Sequence, residues 1–252
     1  HQVVITNYLP LKVIAIYSGE SSRLFSECSE PFQSEFIRNI NKAPIQGTDY
    51  SNLPKMLYLN KLYWPLSLLS LLISSLEDNK RFIKDILKID SVEKIKIDFQ
   101  RKNYEEYNDN LALKFIRDID AKDEYELEEL KRLLLDKGYL ENDLYKYLYL
   151  AYTHNNSQLI DNIVIKFNKN LTISDLSEGE KKLLLIKAAL EFGAQEDSLF
   201  ILDEPDAHIH MNNQEQIIKA WEPYKGNRQI VITTHSPTIA QAIEDDNVYM
   251  MN

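Results

Sequence analysis

Two apolar runs near the C-terminal end leave this chain the fewest choices of fold. Ser198-Leu199-Phe200-Ile201-Leu202 and Gln229-Ile230-Val231-Ile232-Thr233 show no polar alternation, the pattern of strands covered on both faces, as in a parallel sheet. Each ends in a polar cluster, Asp203-Glu204-Pro205 after the first and Thr234-His235-Ser236-Pro237 after the second. Between them a helix is expected from about Asn213 to Trp221, stopped by Pro223 and Gly226. A β–α–β unit of this length makes its strands parallel, with a right-handed crossover. Both polar clusters then lie at the carboxyl ends of strands, the edge where open α/β sheets place ligands. Ser236 as N-cap and Pro237 at the first helical position start a further helix, running to about Ile243.

Upstream, Ser177-Glu178-Gly179-Glu180 has the S-x-x-E form of a capping box and precedes an apolar helix from Lys181 to Phe192, closed by Gly193. Leu183, Leu184, Leu185, Ile186, Ala188, Ala189 and Leu190 leave it almost no polar face, so it should be deeply packed. Gly179 in its first turn costs about 1 kcal/mol relative to Ala. That cost makes sense where something approaches the backbone closely, and a helix N-terminus attracts anions.

Two adjacent acids at the tip of a buried strand are expensive unless they have work. Facing a metal-bound phosphate they divide it: Asp203 orients Mg²⁺, directly or through its water shell, and Glu204 polarises the attacking water. His235, on the same rim, can sense the terminal phosphate through one ring nitrogen. His208 and His210 could be imagined as a metal pair, but neither is read as a ligand.

The rest of the chain sets bounds. Among 252 residues there are six glycines, at positions 19, 47, 138, 179, 193 and 226, and none precedes a lysine. The chain therefore holds no G-x-x-x-x-G-K-[ST] phosphate loop. It opens His-Gln-Val-Val-Ile without a Met, and the expectation is that an N-terminal part precedes it. Strands are expected at Val3 to Ile5 and Val13 to Tyr17. Residues 31–160 read as mainly helical, interrupted by two alternating segments, Val92 to Phe99 and Ile163 to Phe167, that read as half-buried strands. Leu62 to Leu76, interrupted by Pro65 and several serines, is shorter than the ~20 residues that span a bilayer and reads as a buried helix. Tyrosines and charges crowd Lys102 to Asn110 and Glu141 to Tyr152, either as a solvated helical surface or as a partner-binding arm. The single cysteine, Cys28, excludes a disulfide framework and fits a reducing, cytoplasmic setting. A net charge of −10 argues against a broadly basic nucleic-acid surface.

Taken together, Leu176-Ser177-Glu178-Gly179-Glu180 resembles the LSGGQ/LSGGE-type signature of ABC-class ATPases. Leu199 to Pro205 resembles their Walker B strand with its catalytic Glu, Asp206 falls where the D-loop begins, and Thr234-His235-Ser236 resembles the switch-histidine segment. Glu204-Pro205-Asp206-Ala207-His208-Ile209-His210 is similar to the E-P-E-x-x-L-H pattern of the stand-alone, RecF-, OLD- and SMC-like or AAA-family branch. That branch includes the ATPases of anti-phage systems such as Septu, PARIS and some retrons.

The resemblance implies an α/β, ABC-type P-loop ATPase fold, with a mostly parallel central sheet and a helical insertion subdomain. The core lobe would comprise residues 1–30 and 160–252, and the insertion 31–159. It implies ATP and Mg²⁺ as cofactors and a head-to-tail homodimer or higher oligomer, in which Ser177 and the Gly179 backbone act on a partner's nucleotide; Glu180, Asp203 and Asp206 are further nucleotide-binding residues, Asp203 also for Mg²⁺, and Glu204 and His235 are catalytic. The nucleotide state would control a nuclease or toxin effector in anti-phage defence, or DNA in a repair role; the acidic charge tilts toward a protein, and no membrane is expected. A transporter nucleotide-binding subunit and a non-hydrolysing scaffold with a degenerate site are the alternatives.

Overall fold

The computed structural model describes residues 9–17, 23, 25–42, 54–152, 158–194, 197–207, 209, 211–224, 227–243 and 247–249. Its elements begin with β1 (Lys12–Tyr17), α1 (Glu30–Lys42), β2 (Met56–Leu59), α2 (Trp64–Ile73), α3 (Glu77–Arg81) and β3 (Val92–Phe99). There follow α4 (Leu111–Ile119), β4 (Glu124–Tyr125), α5 (Leu127–Asp136), α6 (Glu141–Tyr152) and β5 (Ile160–Phe167). The C-terminal third holds α7 (Glu178–Ala188), β6 (Ser198–Asp203), α8 (Met211–Trp221), β7 (Arg228–Thr233) and α9 (Pro237–Gln241). The strand expected at Val3 to Ile5 lies outside the described residues.

Four strands form an all-parallel sheet in the order β2-β1-β6-β7, and three form an antiparallel sheet in the order β4-β3-β5. This mixed α/β architecture with a parallel central sheet is the one the sequence implied for a P-loop ATPase fold. Parallel register puts Ile14, Ile16, Leu57, Leu59, Phe200 and Leu202 on one face, all buried. The helices after β5 and β6 cover that face. Trp221 of α8 meets Phe200 edge-on, with ring centroids 5.8 Å apart. The turn that ends α7 rests on the same face, where a Cβ on Gly193 would lie 3.4 Å from Leu57 Cδ1.

The opposite face departs from the expectation of cover on both sides. On β6 and β7, Ile201 is 38% exposed and Val231 53% exposed. An unalternated apolar run records that a strand needs cover, not which segment supplies it.

The stretch 31–159 is less uniformly helical than expected. Met56 to Leu59 joins the parallel sheet as β2, in register with Val13 to Ile16. A four-residue apolar run carries too little periodicity to distinguish strand from helix, which is why the sequence hid it. The two alternating segments are the antiparallel strands β3 and β5, as their pattern indicated.

Between the sheets lies a helical layer. In α2, Leu66 to Ile73 is buried all round, with Pro65 in the first turn where its missing N–H costs nothing. It packs on α7, α6 and β5. Helix α6 corrects the reading of Glu141 to Tyr152 as a solvated surface or an arm, because every residue from Leu144 to Tyr152 is buried. Its tyrosines stack inward. Tyr149 lies on Tyr63 at 5.0 Å, Tyr147 on Phe115 at 4.9 Å and Tyr145 on Phe192 at 5.6 Å. Tyrosine supplies large apolar area along with a polar tip, and here Gln33 Nε2 donates to Tyr149 Oη at 2.5 Å. No helix among the described residues is long and apolar enough to cross a membrane.

Candidate active site

The site is assembled where β6 and β7 end side by side. Their register pairs Leu202 with Ile232 and Asp203 with Thr233, so the residues following each strand emerge on one edge. Pro205 stops β6, and the chain turns over residues 204–207, where Ala207 N donates to Glu204 O at 3.1 Å. Glu204 takes a left-handed backbone conformation, φ 44°. For a non-glycine residue this costs about 1–3 kcal/mol and persists only where surrounding bonds impose it. Those bonds come from β7. The Glu204 N–H donates to Thr233 O at 3.0 Å and to Thr233 Oγ1 at 3.1 Å.

The polar side chains at this edge are tied together in pairs. Thr233 Oγ1 donates to Asp203 Oδ1 at 2.6 Å, and Thr234 Oγ1 donates to Asp206 Oδ1 at 2.7 Å. His235 Nε2 lies 3.3 Å from Glu204 Oε1, and its side chain is 93% exposed. Ser236 begins α9 with Pro237 in the first turn, as expected, although its hydroxyl does not cap the helix. That hydroxyl donates instead to Gln214 Oε1 at 2.7 Å, and Gln214 Nε2 donates to Ile209 O at 3.2 Å. Asp203 is half-buried, Glu204 exposed and Asp206 buried. The negative charge of Asp203 reaches across the sheet to Tyr58, whose phenol is pushed up to about 12, by burial first and then by Tyr17 and Asp203.

The N-terminus of α7 sits beside this loop. The capping box forms as its spacing required: Glu180 N donates to Ser177 Oγ at 3.2 Å, and Ser177 N donates to Glu180 Oε2 at 2.7 Å. Gly179 is buried against the chain's own loop, and a Cβ there would meet Ile209 Cγ1 at 3.4 Å and its Cα at 3.5 Å. Lys182, one turn further, donates through Nζ to Ala207 O. Burial lowers the pKa of this lysine, opposed by the charges of Asp206, Glu178 and Glu204. Helix α7 keeps its other lysines satisfied by cation–π and ion-pair contacts, with Lys181 Nζ over the Trp64 ring at 5.1 Å and Lys187 paired with Asp78 and Glu191.

All the singled-out residues thus occupy one side of the molecule's parallel sheet: Asp203, Glu204 and His235 on the strand edge itself, Asp206 in the turn, and Ser177, Gly179 and Glu180 where α7 meets that turn. His208 and His210 lie outside the described residues. Among those described, no group of three or more His, Cys, Asp or Glu is placed to hold a metal ion. Sequence reasoning passed over Thr233, Thr234 and Gln214 as partners of the acids and their loops. The two threonines had a readable signal, because equal-length parallel strands ending in Asp-Glu and Thr-Thr place a hydroxyl opposite each acid-bearing turn.

The chain is 30% identical over 103 residues to the Retron Ec83 probable ATPase of Escherichia coli, a match covering 36% of this chain and 19% of that protein. It is 27% identical over 104 residues to the Retron Vc95 probable ATPase of Vibrio cholerae serotype O1 biovar El Tor, covering 37% and 20% respectively. The matched stretch therefore spans about a fifth of the length of these curated relatives. A family model matches residues 47–240, which include every residue of the edge described above, and the chain belongs to that family, described as "AAA domain, putative AbiEii toxin, Type IV TA system".

Proposed function

We propose that this chain supplies the acid, histidine and signature parts of an ATP site in an ABC-type, non-transporter ATPase. That ATPase binds and hydrolyses ATP at a head-to-tail dimer interface. The observation that carries the reading is the convergence of two adjacent parallel strand ends, which holds Glu204 Oε1 3.3 Å from His235 Nε2 beside the Thr233-anchored Asp203.

The donor set fits Mg·ATP. Mg²⁺ keeps several waters and takes one or two carboxylates plus substrate phosphates, so a lone half-buried Asp203 beside an exposed Glu204 is sufficient. Bound there, Mg²⁺ neutralises charge on the phosphates. Asp203 orients that ion, Glu204 accepts a proton from the attacking water, and His235, exposed on the rim, holds the Glu204 carboxylate and reads the terminal phosphate. Asp206 ties the turn after the acids to β7. The phosphate-cradling loop comes from outside residues 1–252, since no glycine here precedes a lysine.

Ser177 and Glu180 cap a helix whose positive dipole end suits an anion. In this reading they meet the nucleotide held by a second copy, and Gly179 keeps the helix start close to Ile209 of its own acid loop. The partly matching relatives are named as retron probable ATPases, which supports an effector protein in anti-phage defence as the output. The charge of −10 favours a protein over DNA as the partner.

Dimerisation gives the test. In sedimentation velocity of the full-length protein with ATP and Mg²⁺, Glu204→Gln should accumulate as a dimer, because binding is kept and turnover is lost. Ser177→Arg should remain monomeric. A Glu204→Gln protein that binds ATP yet stays monomeric contradicts the shared-site reading.

A further inference from the structure

The geometry points to Thr233 as a positioning residue for this site, one that holds Asp203 and Glu204 in a single working geometry through its hydroxyl. The inference rests on the reading of Glu204 as the base.

A threonine hydroxyl has one hydrogen to donate and two lone pairs to accept with. Here the hydrogen goes to Asp203 Oδ1 at 2.6 Å, and a lone pair receives the Glu204 N–H at 3.1 Å. One small group thus touches the side chain of the first acid and the backbone of the second without conflict. The same N–H also reaches Thr233 O at 3.0 Å. That bond is available to any residue at 233, whereas the hydroxyl bond is not.

The left-handed φ of 44° at Glu204 gives the second contact its purpose. Left-handed backbone is disfavoured for a non-glycine residue, so bonds must hold Glu204 in the conformation that keeps its carboxylate 3.3 Å from His235 Nε2. Register makes Thr233 the strand partner of Asp203, so the hydroxyl is delivered by the sheet and not by a mobile loop. The β-branch restricts χ1, which keeps the oxygen pointed at both acids. The same oxygen thus ties the metal-orienting acid to the backbone that carries the base.

The test is steady-state hydrolysis by the full-length protein carrying Thr233→Val, which keeps the shape and removes the hydroxyl. The expected result is a kcat lower by about 10- to 100-fold, an unchanged KM for ATP and a higher Mg²⁺ requirement, in a variant that still unfolds cooperatively. Thr233→Ser should recover most of the rate. If Thr233→Val does not fold, Thr233→Ala, which removes both γ groups, reads the same loss against Thr233→Ser, which keeps the hydroxyl. A folded Val or Ala variant with wild-type kcat overturns the inference, as does an equal loss in the Ser variant, which would assign the effect to the methyl group. Failure of the underlying reading looks different: Glu204→Gln would turn over ATP normally, or the wild-type protein would not hydrolyse it.

Discussion

At the residue scale, the site depends on groups that each serve two neighbours. Glu204 is held in a conformation that costs free energy by bonds from Thr233, and the same threonine anchors Asp203. Ser177 shows the same economy on α7. Its hydroxyl accepts from Glu180 N at 3.2 Å and donates to Glu180 Oε2 at 2.7 Å, while its own N–H uses that carboxylate. Replacing a capping serine by alanine costs about 1 kcal/mol. Ser177→Ala and Glu180→Ala should each cost about that much in urea unfolding, and the double variant less than the sum, because the second loss finds its bonds already broken. Strict additivity would contradict the reciprocal cap. The capping box was legible in the sequence because it is local, four residues with fixed spacing. The Thr233–Asp203 contact is harder to read, because it takes two strands 30 positions apart set in register, and only their equal lengths and matching polar ends signal it.

At the element scale, the parallel sheet carries a buried charge with a pH signature. Lys12, at the start of β1, is buried and donates from Nζ to Gly193 O at 3.1 Å. Burial lowers its pKa from 10.5 to about 8. Between those values the unfolded chain holds a proton that the folded protein has released, so stability rises with pH across that window. At about 1.4 kcal/mol per pKa unit the rise approaches about 3 kcal/mol. Above pH ~10 the buried tyrosines reverse the trend, since their folded-state pKa values lie above those of the unfolded chain. Urea midpoints should therefore climb from pH 8 toward pH 10, and Lys12→Met should flatten that climb. A flat wild-type profile, or a climb that survives in Lys12→Met, would place the charge elsewhere. Helix α6 shows where element-level reading failed. Its tyrosines and charges resemble a solvated surface by composition, but Tyr149, Tyr147 and Tyr145 are stacked on Tyr63 just before α2, on Phe115 of α4 and on Phe192 in the turn after α7. None of these is adjacent in sequence. By contrast, β6, β7 and the helix between them were readable, because unalternated apolar runs, proline stops and strand spacing are all encoded within one β–α–β unit.

At the scale of the whole molecule, two sheets flank a helical layer, and the proposed nucleotide edge belongs to the parallel one. Ile201 and Val231 on its second face stay exposed, although their strands carry the pattern of sheets covered on both sides. In the proposed reading the chain supplies signature, acid and histidine parts of an ATP site, and none of its six glycines forms a G-x-x-x-x-G-K-[ST] loop. The central claim is that Glu204 is the base of that site. Phosphate release by the full-length protein, with saturating ATP and Mg²⁺, tests it most directly. Glu204→Gln should lower kcat by about 100-fold or more while leaving equilibrium ATP binding intact. A Gln variant that releases phosphate at the wild-type rate would contradict the account.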